Sequence, residues 1–158
     1  LFASGDFLRA ASYYRAARRE EPYTPWGDLW ATLRWGRSRQ LLLGALDLAE
    51  RQQIEEMLLR LQFVAQSPDF SPGLNDFFTG YAEYLLGGEA SAHLEKSAAD
   101  PTVRRLFFFD LLALLCDELG RVGRFGDAER YVREITGELG QEQYGRLLLK
   151  SLQQLRQK

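Results

Sequence analysis

The stretch that decides the fold is Gly123-Arg124-Phe125-Gly126-Asp127-Ala128, where a large apolar residue follows glycine by two positions and alanine follows by five. The same order occurs in Gly5-Asp6-Phe7-Leu8-Arg9-Ala10 and in Gly44-Ala45-Leu46-Asp47-Leu48-Ala49. A degraded copy begins at Gly87 and keeps the small residues but lacks the apolar one. Glycine permits the left-handed backbone that ends a helix, and alanine lets two helices approach closely. The motif therefore predicts a tight turn between two helices at each copy.

Segments with helical periodicity surround these turns. We predict helices at about 7–20, 26–43, 46–66, 74–86, 89–99, 102–121, 125–137 and 140–157. Clear stops separate several of them, at Glu21-Pro22, from Ser67-Pro68 through Ser71-Pro72-Gly73, and at Asp100-Pro101. Because no segment shows the alternation and turn chemistry of a β-hairpin, the sequence predicts an all-α fold.

Two of the four units resemble a tetratricopeptide repeat closely. The first carries the matching residues Gly5, Phe7, Ala10, Tyr14, Ala17 and Pro22. The fourth carries Leu112, Leu115, Cys116, Leu119, Gly123, Phe125, Ala128, Val132 and Ile135. The middle units depart from the family pattern, with polar Gln53 and Glu56 in unit two and a short second helix in unit three. The resemblance implies an α-α superhelix, a right-handed solenoid of antiparallel helix hairpins.

The chain is predicted to form one domain over residues 1–158, with about three and a half irregular helix pairs over 1–137 and a capping helix over 140–158. The capping helix has an apolar stripe of Tyr144, Leu147, Leu148, Leu152 and Leu155 beside a polar face, as the end of a solenoid requires. Because Leu1-Phe2-Ala3 reads as the end of a helix, we expect this sequence to be a fragment of a longer chain.

Composition limits the classes of partner. Hydrophobic residues make up 46% of the 158 residues and charged residues 27%, as in a folded protein. The net charge of −2 gives no electrostatic footprint for nucleic acid. No apolar segment reaches the ~18 residues that a membrane span requires. Arginine strongly outnumbers lysine, which favours a bacterial source, with cytoplasm and periplasm both open as locations.

The sequence offers little for catalysis or metal binding. With one histidine, His93, and one cysteine, Cys116, no Cys/His zinc set can form within the chain. A nucleophilic site would need His93 beside Ser91, Ser97 or Cys116, and the spacing does not favour this. We therefore predict no catalytic residue, no metal, no cofactor and no enzymatic activity. Cys116 is expected to be a buried thiol.

Aromatic and charged residues mark a candidate partner-binding surface. In the tetratricopeptide-like register, the first helix of each pair lines a concave groove. The resemblance places seven residues there: Arg34, Ser38, Phe77, Tyr81, Tyr84, Asp110 and Asp117. Apolar anchors with a polar rim are what a peptide-binding surface needs. The leading hypothesis is therefore a protein–protein interaction scaffold that binds a peptide or partner protein through this groove.

Two other functions are considered. The chain could be a structural or assembly module that packs within its own longer chain, or self-associates through its N-terminal edge. It could also be an all-helical enzyme or small-ligand binder with a polar cluster around His93 or the tryptophans. Light scattering in solution would test self-association, and a closed polar pocket would favour an enzyme or small-ligand binder.

Overall fold

A computed structural model describes Arg9, residues 27–68 and residues 70–158. This part of the chain is all-α and contains no strand, as predicted. It has eight helices of more than one residue: α1 Gly27–Leu43, α2 Leu48–Val64, α3 Pro72–Leu86, α4 Ser91–Ala98, α5 Pro101–Leu106, α6 Phe108–Arg121, α7 Phe125–Glu138 and α8 Glu142–Arg156. Within the described ranges no helix is long and apolar enough to cross a membrane.

Glycines end the helices where the repeated motif predicts them. Gly44, Gly87 and Gly123 have φ angles of 81°, 78° and 79°, the left-handed conformation that glycine adopts most readily. Gly140 has a φ of 68° and makes the same turn between α7 and α8. The copy at Gly5 and, apart from Arg9, the helix predicted at 7–20 lie outside the described residues.

The helices begin at side chains that cap their free N–H groups. Asp47 caps α2 in a capping box with Glu50, in which each side chain accepts a hydrogen bond from the other's backbone N–H. Ser71 caps α3 and accepts from the N–H of Leu74. Asp100 caps α5, and prolines occupy the first positions of α3 and α5. The predicted stops at residues 71–73 and 100–101 are therefore helix starts with a physical cause.

Two local predictions are wrong. The helix expected at 102–121 is broken at Phe107, which has φ −118° and ψ 29° and separates α5 from α6. Its ring lies in the core, 4.7 Å from the Trp30 ring and 4.9 Å from the Phe77 ring, centroid to centroid. Ala49, expected at a close helix contact, is exposed, because α2 begins at Leu48 and Glu50 takes the buried position at 5% exposure.

Each helix packs on the next one in sequence, and several helices that are further apart in sequence also contact one another. Contacts join α1 to α3, α3 to α6 and α6 to α8, in addition to the sequential pairs. One hydrophobic core runs through the described helices, and its fully buried members include Leu33, Ile54, Phe78, Leu94, Leu112 and Ile135. Cys116 is buried at 7% exposure, as predicted, and burial raises the pKa of its thiol to about 12. The contacts of α1 with α3 and of α3 with α6 position the polar residues described below.

A glycine at the α7–α8 contact gives a stability prediction. A Cβ on Gly145 would lie 2.5 Å from the Oγ1 atom of Thr136, whereas a Cβ on Gly137 would meet no atom within 4 Å. Gly145→Val should therefore cost about 1–3 kcal/mol more than Gly137→Val, because the first change overfills a close contact and the second enters open space. Urea denaturation of both variants measures the difference. An equal loss of stability in the two variants would show that α8 shifts freely away from α7.

Candidate functional site

Six side chains from α1, α3 and α6 form one polar cluster: Arg34, Arg37, Tyr81, Tyr84, Asp110 and Asp117. Each helix contributes two of them, at spacings of three, three and seven residues. Residues three or seven apart lie on the same face of a helix. The local helical geometry therefore points both members of each pair in one direction, and the packing of the three helices brings the pairs together.

The inner half of the polar cluster is centred on Asp110. Its Oδ2 accepts a hydrogen bond from Nη1 of Arg34 at 2.5 Å, and its Oδ1 accepts one from the hydroxyl of Tyr81 at 3.3 Å. The Arg34 and Asp110 side chains are only 13% and 9% exposed. The Arg34 guanidinium also lies 5.4 Å from the centre of the Trp30 ring. This half therefore ties α1, α3 and α6 together through a nearly buried ion pair.

The outer half is centred on Arg37 and reaches solvent. Its guanidinium donates to the Tyr84 hydroxyl at 2.8 Å, to the Asp117 Oδ2 atom at 3.0 Å and to Gln40 Oε1 at 2.7 Å. The Tyr84 hydroxyl also donates to Asp117 Oδ2, at 2.9 Å. The Asp117 side chain is 46% exposed. Within the described part of the chain both hydrogen bonds of this carboxylate use Oδ2, which leaves Oδ1 for a donor from a partner.

The electrostatics keep both phenols protonated. Burial, reinforced by Asp117 and opposed by Arg37, raises the pKa of Tyr84 to about 12. Burial and then Asp110 raise the pKa of Tyr81 well above its usual value. Burial also raises the pKa of Asp110, while Arg34 pulls it down. The two tyrosines therefore act as hydrogen-bond donors to the carboxylates near neutral pH.

The structure brings together five of the seven residues predicted for partner binding. Phe77 and Ser38 lie outside the polar cluster, and both are fully buried. The Ser38 hydroxyl donates to the Arg34 carbonyl one turn back along α1. The expectation that Phe77 and Tyr81 are accessible is wrong: they are 0% and 1% exposed, because the Trp30 ring packs against both. Whether the surface around them binds a partner stays a prediction.

Arg37 is the member of the polar cluster that the sequence analysis missed. It follows Arg34 by three residues and therefore shares its helix face. That spacing was the available signal. Nothing in the sequence showed that Tyr84 and Asp117, 47 and 80 residues away, would both lie within hydrogen-bonding distance of its guanidinium.

A cleft of about 350 Å³, lined by apolar and polar side chains alike, opens beside the inner half of the polar cluster, and we name it the apolar cleft for its three phenylalanines. Asp110 belongs to both. The cleft is lined by Arg105, Leu106, Phe107, Phe108, Phe109, Asp110, Leu139 and Gln141. Phe107 and Phe108 are nearly buried, whereas Leu106 and Phe109 are each 58% exposed. The break at Phe107 lies within this lining, between Leu106 at the end of α5 and Phe108 at the start of α6.

His93 is held by carboxylates, and among the residues that the structure describes no serine or cysteine makes a hydrogen bond to its ring. Its Nδ1 lies 2.9 Å from Asp76 and its Nε2 lies 3.8 Å from Glu83, both on α3. The Ser97 hydroxyl is buried and donates to the Leu94 carbonyl. In the described part of the chain no three carboxylate, histidine or cysteine side chains are grouped to hold a metal ion. The candidate site is therefore the polar cluster with the apolar cleft.

Comparison of the chain with protein-family models, with curated proteins and with solved structures gave no match in any of the three. No family is assigned. The likeness to tetratricopeptide repeats rests on the motif residues of the sequence, and membership of that superfamily stays a prediction.

Proposed function

We propose that this chain is a protein-interaction module that binds a peptide segment of a partner across α1, α3 and α6. The observation that carries the proposal is the apolar cleft that shares Asp110 with the polar cluster. Peptide-binding surfaces combine an apolar pocket for an anchoring side chain with polar groups that fix the register of the peptide. Here the two parts meet at Asp110, with α1 and α3 supplying most of the polar cluster and α5, the start of α6 and the α7–α8 turn supplying the rest of the cleft.

The size and lining of the apolar cleft favour a side chain over a cofactor. Its volume of about 350 Å³ lies near the lower end of the ~300–1,000 Å³ range of small-molecule pockets. The half-exposed Leu106 and Phe109 offer apolar walls, and Arg105 and Gln141 add polar groups. An aromatic or leucine side chain of the partner suits this combination.

The outer half of the polar cluster supplies the polar contact. Arg37 and Tyr84 hold the Asp117 carboxylate in place through Oδ2, which leaves Oδ1 for a donor from the partner. A backbone N–H or a lysine of the bound segment would satisfy it. Because the carboxylate is already oriented by two donors, binding would lose little side-chain entropy there.

The contacts among α1, α3 and α6 are the basis for proposing a tetratricopeptide-like arrangement for this module. In the tetratricopeptide-like register α1, α3 and α6 would be the first helices of successive repeats, and the contacts of α1 with α3 and of α3 with α6 support this proposal. In that arrangement the polar cluster lines the inner face of a right-handed superhelix, where the proposed peptide would lie.

The test is selection of peptides from a displayed random library on the 158-residue chain, followed by fluorescence anisotropy with a selected peptide. Phe109→Ser should weaken binding about tenfold, because it removes one wall of the apolar cleft. Asp117→Asn should weaken it by a smaller factor through loss of the carboxylate.

The control is Leu59→Ser on α2, at a leucine that is 61% exposed and lies outside the proposed surface. It should leave peptide affinity unchanged. Selected peptides that bind all three variants as tightly as the unaltered chain would refute the proposed site, and so would a failure to select any peptide.

A second function, assembly by self-association, is favoured by a separate observation. Several leucines and a phenylalanine on α2 and α8 are exposed. The N-terminal edge expected to mediate self-association lies outside the described residues. The exposed apolar residues of α2 and α8 are therefore the surfaces considered for assembly.

A further inference from the structure

The outer face of α2 exposes large apolar side chains. Leu48, Leu59 and Phe63 are 74%, 61% and 76% exposed. Glu55 and Glu56 lie between them and are also exposed. Positions i, i+7, i+8, i+11 and i+15 fall on one face of a helix. These five residues form the α2 face.

The outer face of α8 has a similar layout with the opposite charge. Leu147 and Leu155 are 61% and 45% exposed, although the sequence pattern placed them in the same stripe as buried Leu152. Arg146, Lys150 and Lys158 are exposed around them. These five residues form the α8 face.

The charges of the two faces are uncompensated. The other charged side chains of α2 have partners: Glu50 pairs with Arg39, Arg51 donates to the Leu86 carbonyl, and Arg60 pairs with Asp28. Across the described ranges, the side chains of Glu55 and Glu56 make no hydrogen bond or ion pair, and neither do those of Arg146, Lys150 and Lys158. The α2 face therefore presents two free carboxylates and the α8 face three free cations.

We infer that the α2 face of one chain docks on the α8 face of a second copy, head to tail. With the two helices antiparallel, placing Leu59 opposite Leu147 brings Glu55 and Glu56 opposite Lys150. Apolar contact then removes Leu59 and Leu147 from water while opposite charges meet one turn away. Two α2 faces could not pair in this way, because four carboxylates would be brought together.

Both faces of one molecule can be used at once. α2 packs on α1 and α3, whereas α8 packs on α6 and α7. A contact between two different faces is heterologous, so it continues from copy to copy unless the rotation closes a ring. This contact between copies does not use the apolar cleft. Peptide binding is measured by fluorescence anisotropy and assembly by sedimentation velocity, so either one can fail without the other.

Sedimentation velocity of the full 158-residue chain tests the contact. The average mass of the unaltered chain should rise with concentration beyond that of a dimer. Leu59→Ser/Phe63→Ser, which alters only the α2 face, should stay monomeric, and so should Leu147→Ser/Leu155→Ser, which alters only the α8 face. An equimolar mixture of the two variants should give a 1:1 dimer and nothing larger, because each supplies the one face that the other lacks.

Charge exchange tests the electrostatic part. Glu55→Lys/Glu56→Lys should weaken association about tenfold, and so should Lys150→Glu, which changes the cation opposite them. The chain with all three changes should regain most of the loss. Glu89→Lys, at an exposed carboxylate on the α3–α4 turn that belongs to neither face, is the control and should have no effect. Raising the salt from about 0.05 M to about 0.5 M should weaken the contact of the unaltered chain.

Three outcomes would overturn the inference. One is an unaltered chain that stays monomeric at every concentration. Another is dimerisation by either variant with a single altered face, which would mean that like faces pair. The third is a mixture of the two variants that does not combine, although circular dichroism shows both to be folded.

Discussion

Phe77→Ala is expected to lower the free energy of unfolding by about 3–5 kcal/mol. The Phe77 side chain is 0% exposed. Its ring lies 4.9 Å from that of Phe107, 5.9 Å from that of Tyr81 and 6.1 Å from that of Trp30, so it joins α1, α3 and the α5–α6 break. Truncation would leave a cavity among three aromatic rings, which cannot collapse without moving helices.

Chemical denaturation measures this loss, with Phe63→Ala as the matched control. Phe63 is 76% exposed on α2, and the same substitution there should change stability by no more than about 0.5 kcal/mol when the protein is dilute. Similar effects at the two positions would contradict the placement of Phe77 in the core. They would restore the earlier expectation that its ring is a surface anchor.

Arg34→Met is expected to cost about 3–5 kcal/mol near pH 7, because it removes the cation that neutralises nearly buried Asp110. Methionine keeps much of the arginine stem, so the loss reports the charge more than the packing. The Arg34→Met/Asp110→Leu double variant should recover most of this stability, since an apolar pair leaves no buried charge without a partner.

The cost of Arg34→Met should depend on pH. Burial raises the pKa of Asp110 above 3.8, and Arg34 is the largest influence that lowers it. The folded state therefore binds this proton more tightly than the unfolded state, so the stability contributed by Asp110 is fully present below about pH 3.8 and is lost as pH rises through the folded-state pKa. Removing Arg34 raises that pKa further and enlarges the loss.

Denaturation of the unaltered and variant chains at about pH 3.5 and about pH 7 checks this sign. The difference in free energy of unfolding between the unaltered chain and the Arg34→Met variant should be small at the lower pH and large at the higher one. Arg60→Met is the control, because its ion pair with Asp28 is substantially exposed and should contribute no more than about 1 kcal/mol at either pH. A pH-independent cost of Arg34→Met would show that Asp110 is not the group responsible.

Local chemistry explains where the sequence analysis succeeded. The turns at Gly44, Gly87 and Gly123 need only a residue that tolerates positive φ, and the starts at Ser71 and Asp100 need only a capping side chain. These requirements involve residues close in sequence, so they can be recognised without the fold. Helix boundaries in the described ranges accordingly lie within about two residues of prediction, except at Phe107.

The candidate site was predictable only in part. Helical spacing showed that Tyr81 and Tyr84 share a face, and the family register grouped them with Arg34, Asp110 and Asp117. It could not show that Tyr81 is buried while the Asp117 carboxylate reaches solvent, because burial depends on the neighbouring helices. The apolar cleft was not predicted at all, since its lining combines the unpredicted break at Phe107 with Leu139 and Gln141 from the distant α7–α8 turn.

The sequence by itself determined an all-α chain, the positions of its turns and the pairing of its helices around glycine. These follow from backbone freedom, capping and a 3.6-residue period, all of which act over a few residues. Only the tertiary structure decided which aromatic rings form the core, that Arg37 joins Tyr84 and Asp117, and that Leu147 and Leu155 face outward. Those outcomes depend on contacts between residues tens of positions apart, and no local pattern contains them.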